Sequence, residues 1–260
     1  MSAVDDSGKL ISAPAPRWVQ SPKWVRAFLG GEAITDSKRA HILREGGPPV
    51  YYFPVEDVRM DLLKPTDRKT ASPGKGDAAW WTIDVKGKTA ENAVWSFATP
   101  PPQASFLKGY MAFEWNKMDA WFEEREEVFG HARDPFKRID VIDSSRHVRV
   151  VIAGETVADS NEPAILFEPN HPIRYYLPKV DVRMDLLLPS EKISRCPYKG
   201  DARYYSVAVG EKIVPDIAWS YTYPTKECAT VAGKVCFFNE RIDEIYVDGE
   251  LIPRPKTRWS

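Results

Sequence analysis

The stretch YYFPVEDVRMDLL at 51–63 returns as YYLPKVDVRMDLL at 175–187. Working outward from that pair decides the architecture. A shift of 124 residues aligns 51–126 with 175–250 without a gap, with 25 identities over 76 positions. Upstream, a one-residue gap brings VRAFLGGEAITDS (25–37) onto VRVVIAGETVADS (148–160). Each unit is then about 115 residues long, an ordinary domain size. A period this long excludes a solenoid. The expectation is two duplicated globular domains, 21–135 and 144–258, behind a flexible arm at 1–20. The polar stretch HARDPFKRIDVIDSSR (131–146) is short for a linker. It predicts an intramolecular pseudo-dimer of the two repeats.

The composition favours strands. The 260 residues include 22 prolines and 15 glycines, which punctuate short segments and disfavour long helices. Aromatic residues make up 12%, and aromatic side chains fit pleated sheets. In the second unit, RYYSVAV (203–209) and IAWSYTY (217–223) alternate in the strand period. His147–Ile152 and Glu155–Ala158 flank an Ala153-Gly154 hairpin signal. AILF (164–167), Lys234–Phe238 and Ile242–Val247 add further strands, and Asp248-Gly249 reads as a turn. Only 225–232 and 186–188 leave room for helical turns. The reading is all-β with minor helical turns: tandem small antiparallel sandwich or barrel domains.

Charge excludes some functions. There are 36 basic and 37 acidic residues, a net charge of −1. That balance argues against a nucleic-acid partner or a polybasic membrane surface. No apolar run reaches about 18 residues, so no membrane-spanning helix is expected. Three cysteines do not make a disulfide framework, and no secretory signal is visible at the start. A reduced, cytoplasmic protein is expected. The four histidines are dispersed, with no metal-ligand spacing.

YYLPKVDVRMDLL, CPYKGDARYYSV (196–207), DIAWSYTYP (216–224) and AGKVCFFNERIDEIYVDGE (232–250) occur in that order. Together they resemble the domain of unknown function 427, a family also catalogued under a nucleotidyltransferase-like label. The resemblance covers nearly all of the second unit. The first unit matches more loosely: Cys196, Tyr198 and Glu240-Arg241 are replaced by Ser72, Gly74 and Asn116-Lys117. The resemblance implies a β-tent fold, two antiparallel sheets meeting at an angle. It also makes the second unit the better candidate for a working site. Some relatives of that architecture hold a structural zinc through paired cysteines. This chain has no such pairs, so no metal is carried over.

The candidate site residues lie in that unit. Asp181, Arg183 and Asp185 would share one face if extended, giving either an anion-binding guanidinium or an internal salt-bridge staple. Lys199, in the loop Pro197–Asp201, stands beside Gly200 and could meet a phosphate or carboxylate. It is not a Walker A lysine, because the glycine spacing is wrong and no Ser or Thr follows. The alternative is a solvated turn lysine. Tyr198, Tyr204 and Trp219, with Tyr221, form either an aromatic cage or plain core. Glu240 and Arg241 supply either a base with an anion holder or a strand-end surface pair. The cysteines have no histidine partner, and inert thiols are expected.

No nucleophile–base pair, metal site or cofactor motif emerges. The leading reading is a soluble module binding a small anionic or planar ligand in an Arg/Lys/aromatic cleft, without a cofactor. The alternatives are an enzyme of nucleotidyltransferase-like type and a structural or interaction protein.

Overall fold

The computed structural model describes residues 17–257 and 259–260. The described part divides at Pro135/Phe136 into two units, each with its own cores. Most of the expected arm, 1–16, lies outside the described residues. Its last positions, Trp18–Gln20, form a strand. Likewise Asp140–Asp143, placed in the connecting stretch by the self-match, is an edge strand of the second unit.

Each unit contains one seven-stranded and one four-stranded sheet, with every strand pair antiparallel. In the second unit the larger sheet runs Asp140–Asp143, Ala164–Phe167, Arg174–Leu177, Val235–Phe237, Lys212–Pro224, Gly200–Val209, Leu187–Cys196. The smaller runs Glu155–Ser160, Val148–Ile152, Glu244–Val247, Glu250–Leu251. The first unit repeats this strand order with its own segments, so the all-β reading and the duplication both hold. Among the described residues helix is confined to short 3-10 turns; that at Lys226–Val231 falls within the expected 225–232. No helix among the described residues is long and apolar enough to cross a membrane.

Alternation explains the layers. In the first unit, Tyr51 and Phe53 join the cluster shared with the small sheet, while Tyr52 joins Trp95, Phe97 and Leu107 on the opposite face. The large sheet is therefore buried on both faces. The hairpins follow backbone chirality: Ala153 and Gly154 both have positive φ, 53° and 79°, as a two-residue hairpin of matching twist requires.

The long strand of each unit carries a bulge that the sequence reading missed. Asp216 and Asn92 both take φ 48°, a conformation short polar side chains tolerate best. The Asp216 amide donates to Ser206 Oγ at 3.2 Å, and its carboxylate accepts from Ser190 Oγ at 2.6 Å. Thr82 and Thr66 do the same for Asn92 at 3.2 and 2.8 Å. Beyond the bulge the strand continues to Pro224, and Tyr223, which shares the alternation of Trp219 and Tyr221, is 87% exposed rather than buried with them.

Gly200 is the most constrained glycine. Its φ is +100°, and a Cβ there would sit 2.9 Å from the Tyr223 carbonyl and 3.2 Å from Pro224 Cα. At Gly76, the repeat-related position, the nearest atom is 3.4 Å away. Gly200→Ala is expected to lower stability by about 1–3 kcal/mol, and Gly76→Ala by less, in urea denaturation of the full chain. Equal losses at the two positions would contradict this account of the turn.

Candidate functional site

The register of the second large sheet puts four side chains in one row. Tyr176 stands opposite Cys236, Cys236 opposite Trp219, and Trp219 opposite Tyr204. Arg174, two residues before Tyr176, projects to the same face. Phe238 follows the Val235–Phe237 strand and closes against Trp219 at 4.5 Å and Tyr204 at 6.3 Å. Trp219 Nε1 donates to Tyr176 Oη at 3.2 Å, satisfying the indole inside the core. Tyr204 shares a hydrogen bond with Ser194 Oγ at 2.8 Å, and the Lys192 ammonium lies 4.6 Å above its ring.

A buried ion pair sits beside this row. Arg174 donates twice to Glu240, at 2.6 and 2.8 Å, and once more weakly to Asn239 at 3.4 Å. Its guanidinium lies 5.5 Å from the Trp219 ring and 5.8 Å from Phe238. Burial works against both charges, but the bidentate bond outweighs it. The Arg174 pKa stays above its usual value and that of Glu240 below. The chain's last residues cover the pair. Thr257 Oγ1 donates to Glu240 Oε1 at 2.8 Å, and the Trp259 ring lies 5.8 Å from Arg174 and 5.4 Å from His171.

Lys199 belongs to a second buried cluster. Its ammonium bonds Glu168, which also accepts from Lys137 at 2.5 Å and lies 3.6 Å from His171. Burial pushes the Glu168 carboxyl up, yet the charges of Lys199, His171 and Lys137 dominate and hold its pKa at about 2. Burial likewise disfavours the Lys199 cation, and Glu168 reverses that, so its pKa lies above the ordinary value. The first unit builds the same clamp, with Glu45 between Lys75 and Arg17. Lys199 is thus neither a solvated turn lysine nor a free anion holder. It is held by a carboxylate already present.

The remaining expected residues separate. Asp181, Arg183 and Asp185 are not on one extended face, because 3-10 turns at Lys179–Asp181 and Met184–Leu186 break the strand. Asp181 accepts from Ser160 Oγ at 2.6 Å. Arg183, half exposed, is bidentate to Asp185 at 2.9 and 2.6 Å and reaches Glu155 at 3.3 Å. The staple is therefore Arg183 with Asp185 and Glu155, and Asp181 serves a different partner. Tyr198 leaves the aromatic row: the Lys137 ammonium lies 4.8 Å from its ring, and its carbonyl accepts from Thr225 Oγ1 at 2.6 Å. Arg241 is not paired with Glu240 either. It donates to the carbonyls of Pro215 and Asp216 at 2.8 and 3.2 Å, holding the bulge.

Tyr204 packs on Trp219 and Tyr221 on Tyr176, and all four are buried in the core. Burial raises the Cys228 and Cys236 thiols to about 11 and about 12, which keeps both protonated near neutral pH.

These positions carry the repeat motifs, and a family model matches both copies, at residues 17–124 and 140–248. The chain belongs to the DUF427 family. Its description is a domain of unknown function, and it supplies no reaction to carry over. No curated protein matches the chain.

Several residues of the site were missed, Arg174, Glu168 and Trp259 among them. Arg174 stands just before the repeated motif, opposite Val50 of the first copy, so the self-match passed over it. Glu168 and Glu45 fall before the one-residue gap and do not align at the shift that pairs Lys199 with Lys75. The signal was there in the corrected register. Trp259 lies beyond the repeat.

Glu168 carries a definite pH dependence. Its pKa falls from 4.5 to about 2 on folding, so its stabilisation is complete above pH 4.5 and lost as the pH drops toward 2. That shift corresponds to about 3 kcal/mol. Glu168→Gln should flatten the acid limb of a stability–pH curve over that interval. It should also destabilise the protein at pH 7 by about 3–5 kcal/mol, because two lysines lose their counter-charge. An unchanged acid limb in the variant would refute the assignment.

Proposed function

We propose that the second DUF427 domain is a small-molecule-binding module. Its ligand is planar and donates a hydrogen bond to Glu240, in the slot between Arg174, His171 and the Trp219–Phe238 wall. The observation that carries this is the comparison between the two copies. At the positions of Arg174, Glu240 and Phe238 the first domain has Val50, Asn116 and Glu114, and it still forms the same two sheets. The fold therefore has no need of the buried ion pair. Buried pairs are often no better for stability than apolar residues of similar size, so their retention favours a role in recognition.

Thr257 and Trp259 support the choice of ligand. A hydroxyl donates to Glu240, and a flat ring lies over the cation and the imidazole. A planar ligand with a donor at its edge reproduces both contacts once those residues move aside. Metal-assisted nucleotidyl transfer at Asp181 and Asp185 is less well supported. Arg183 occupies the second carboxylate and would repel a cation placed between them.

Two measurements test the reading. Thermal-shift and ligand-observed NMR screening of the full chain with planar heterocycles (adenine, uracil, nicotinamide) should yield binders, and Trp259→Ala should tighten them severalfold by removing the competitor. Silence from every heterocycle in both proteins would sink the proposal. Arg174→Val alone should cost about 3–5 kcal/mol, since it strands Glu240. Combined with Glu240→Asn, the sister domain's residues, it should recover most of that stability while abolishing binding. A double variant no more stable than the single one would show that the pair serves the fold.

A further inference from the structure

The first domain has a cavity of its own, away from the Val50 and Asn116 positions. Its volume is about 400 Å³, within the range of small-ligand sites, and Gln20, Arg39, His41, Pro54, Glu56, Lys108, Gly109 and Tyr110 line it. Its charges are unevenly committed. Arg39 is bonded to Asp57 at 2.5 and 3.3 Å. The side chains of Lys108 and Glu56 make no hydrogen bond or ion pair among the described residues; Glu56 acts on Arg39 only through its charge, without a bond. Beside the Arg39–Asp57 pair, the cavity therefore presents one cation and one anion whose side chains have no bonded partner among the described residues.

The aromatic part is fixed by packing. The His41 ring stacks on Trp18 at 4.8 Å and meets Tyr110 edge-on at 5.1 Å. Its Nδ1 faces the Arg39 carbonyl at 3.1 Å, which leaves Nε2 for other partners. Burial pushes its pKa down, and the Arg39 carbonyl only partly offsets this, so the ring adds no charge near neutral pH.

The second domain lacks this arrangement. Asp143 and Lys234 stand where the first has Gln20 and Tyr110, and they bridge the spot with an ion pair at 3.4 Å. Ala164, Ala232 and Val180 replace His41, Lys108 and Glu56. The cavity is thus a property of the first copy, and it is independent of the site proposed in the second.

We propose that this cavity binds a small zwitterion of the α-amino acid class, with its carboxylate on Lys108, its ammonium on Glu56 and an apolar side chain against Tyr110 and Pro54. Two opposite unpaired charges complement a zwitterion better than an anion, which Glu56 would repel, or a cation, which Lys108 would.

The test uses calorimetric titration of the full chain with L-phenylalanine, N-acetyl-L-phenylalanine and L-phenylalanine amide. The parent amino acid should bind, and each charge-blocked form should bind at least about tenfold more weakly. Glu56→Gln should erase the difference between L-phenylalanine and its N-acetyl form. Lys108→Met should erase the difference between L-phenylalanine and the amide. Both side chains are exposed, so the variants should keep the wild-type circular dichroism. The His41 ring signals should shift on binding, while those of His171 stay put. No heat from L-phenylalanine, equal binding of all three compounds, or binding of inorganic phosphate lost with Lys108→Met but indifferent to Glu56→Gln would each overturn the proposal.

Discussion

Burial of both faces of the seven-stranded sheet governs the rest of this structure. One face packs against the small sheet. The other is closed by a 3-10 segment and by the chain that follows the last strand. The sheet's edge strand Leu187–Cys196 still carries exposed charges, but the central strands have no solvated side. An ionisable residue on those central strands must find a counter-charge inside or be replaced.

The two domains answer that constraint differently. The first fills the outer face with Tyr52, Trp95, Phe97 and Leu107. The second admits Arg174 and Glu240, with three guanidinium hydrogen bonds directed at Glu240 and Asn239, and surrounds them with Trp219, Phe238 and Tyr204. Both keep a carboxylate between two cations near the Pro-X-Lys-Gly turn. That shared clamp belongs to the fold. The unshared pair is where the two domains differ, and duplication is what makes the comparison possible within a single chain. The first domain has used the same freedom elsewhere, opening a cavity where its sister forms an ion pair.

Sequence reading found the right neighbourhood for several residues but not their partners. Lys199 was singled out for its loop, yet its environment is set by Glu168, thirty-one residues away and across the sheet. Glu240 and Arg241 are adjacent in the chain and face opposite tasks, because one turns into the core and the other onto the bulge. The Asp-Val-Arg-Met-Asp motif would put its three charges on one face only if extended. Its backbone breaks into two short turns, which hand Asp181 to Ser160 and leave Arg183 with Asp185 and Glu155. Strand alternation is a local property and was legible. Ion pairing across a sheet depends on register between distant segments and was not.

The amino-acid order alone determined the duplication, the all-β class and the main hairpins, because each rests on local periodicity or on direct self-similarity, and its ordered motifs carried the resemblance to the family. Only the tertiary structure decided which charges are enclosed, which carboxylate holds which cation, and where a cavity remains. Those outcomes depend on strand order within the sheet, and a one-residue gap between the copies was enough to hide the partner of Lys199 from a comparison made along the chain.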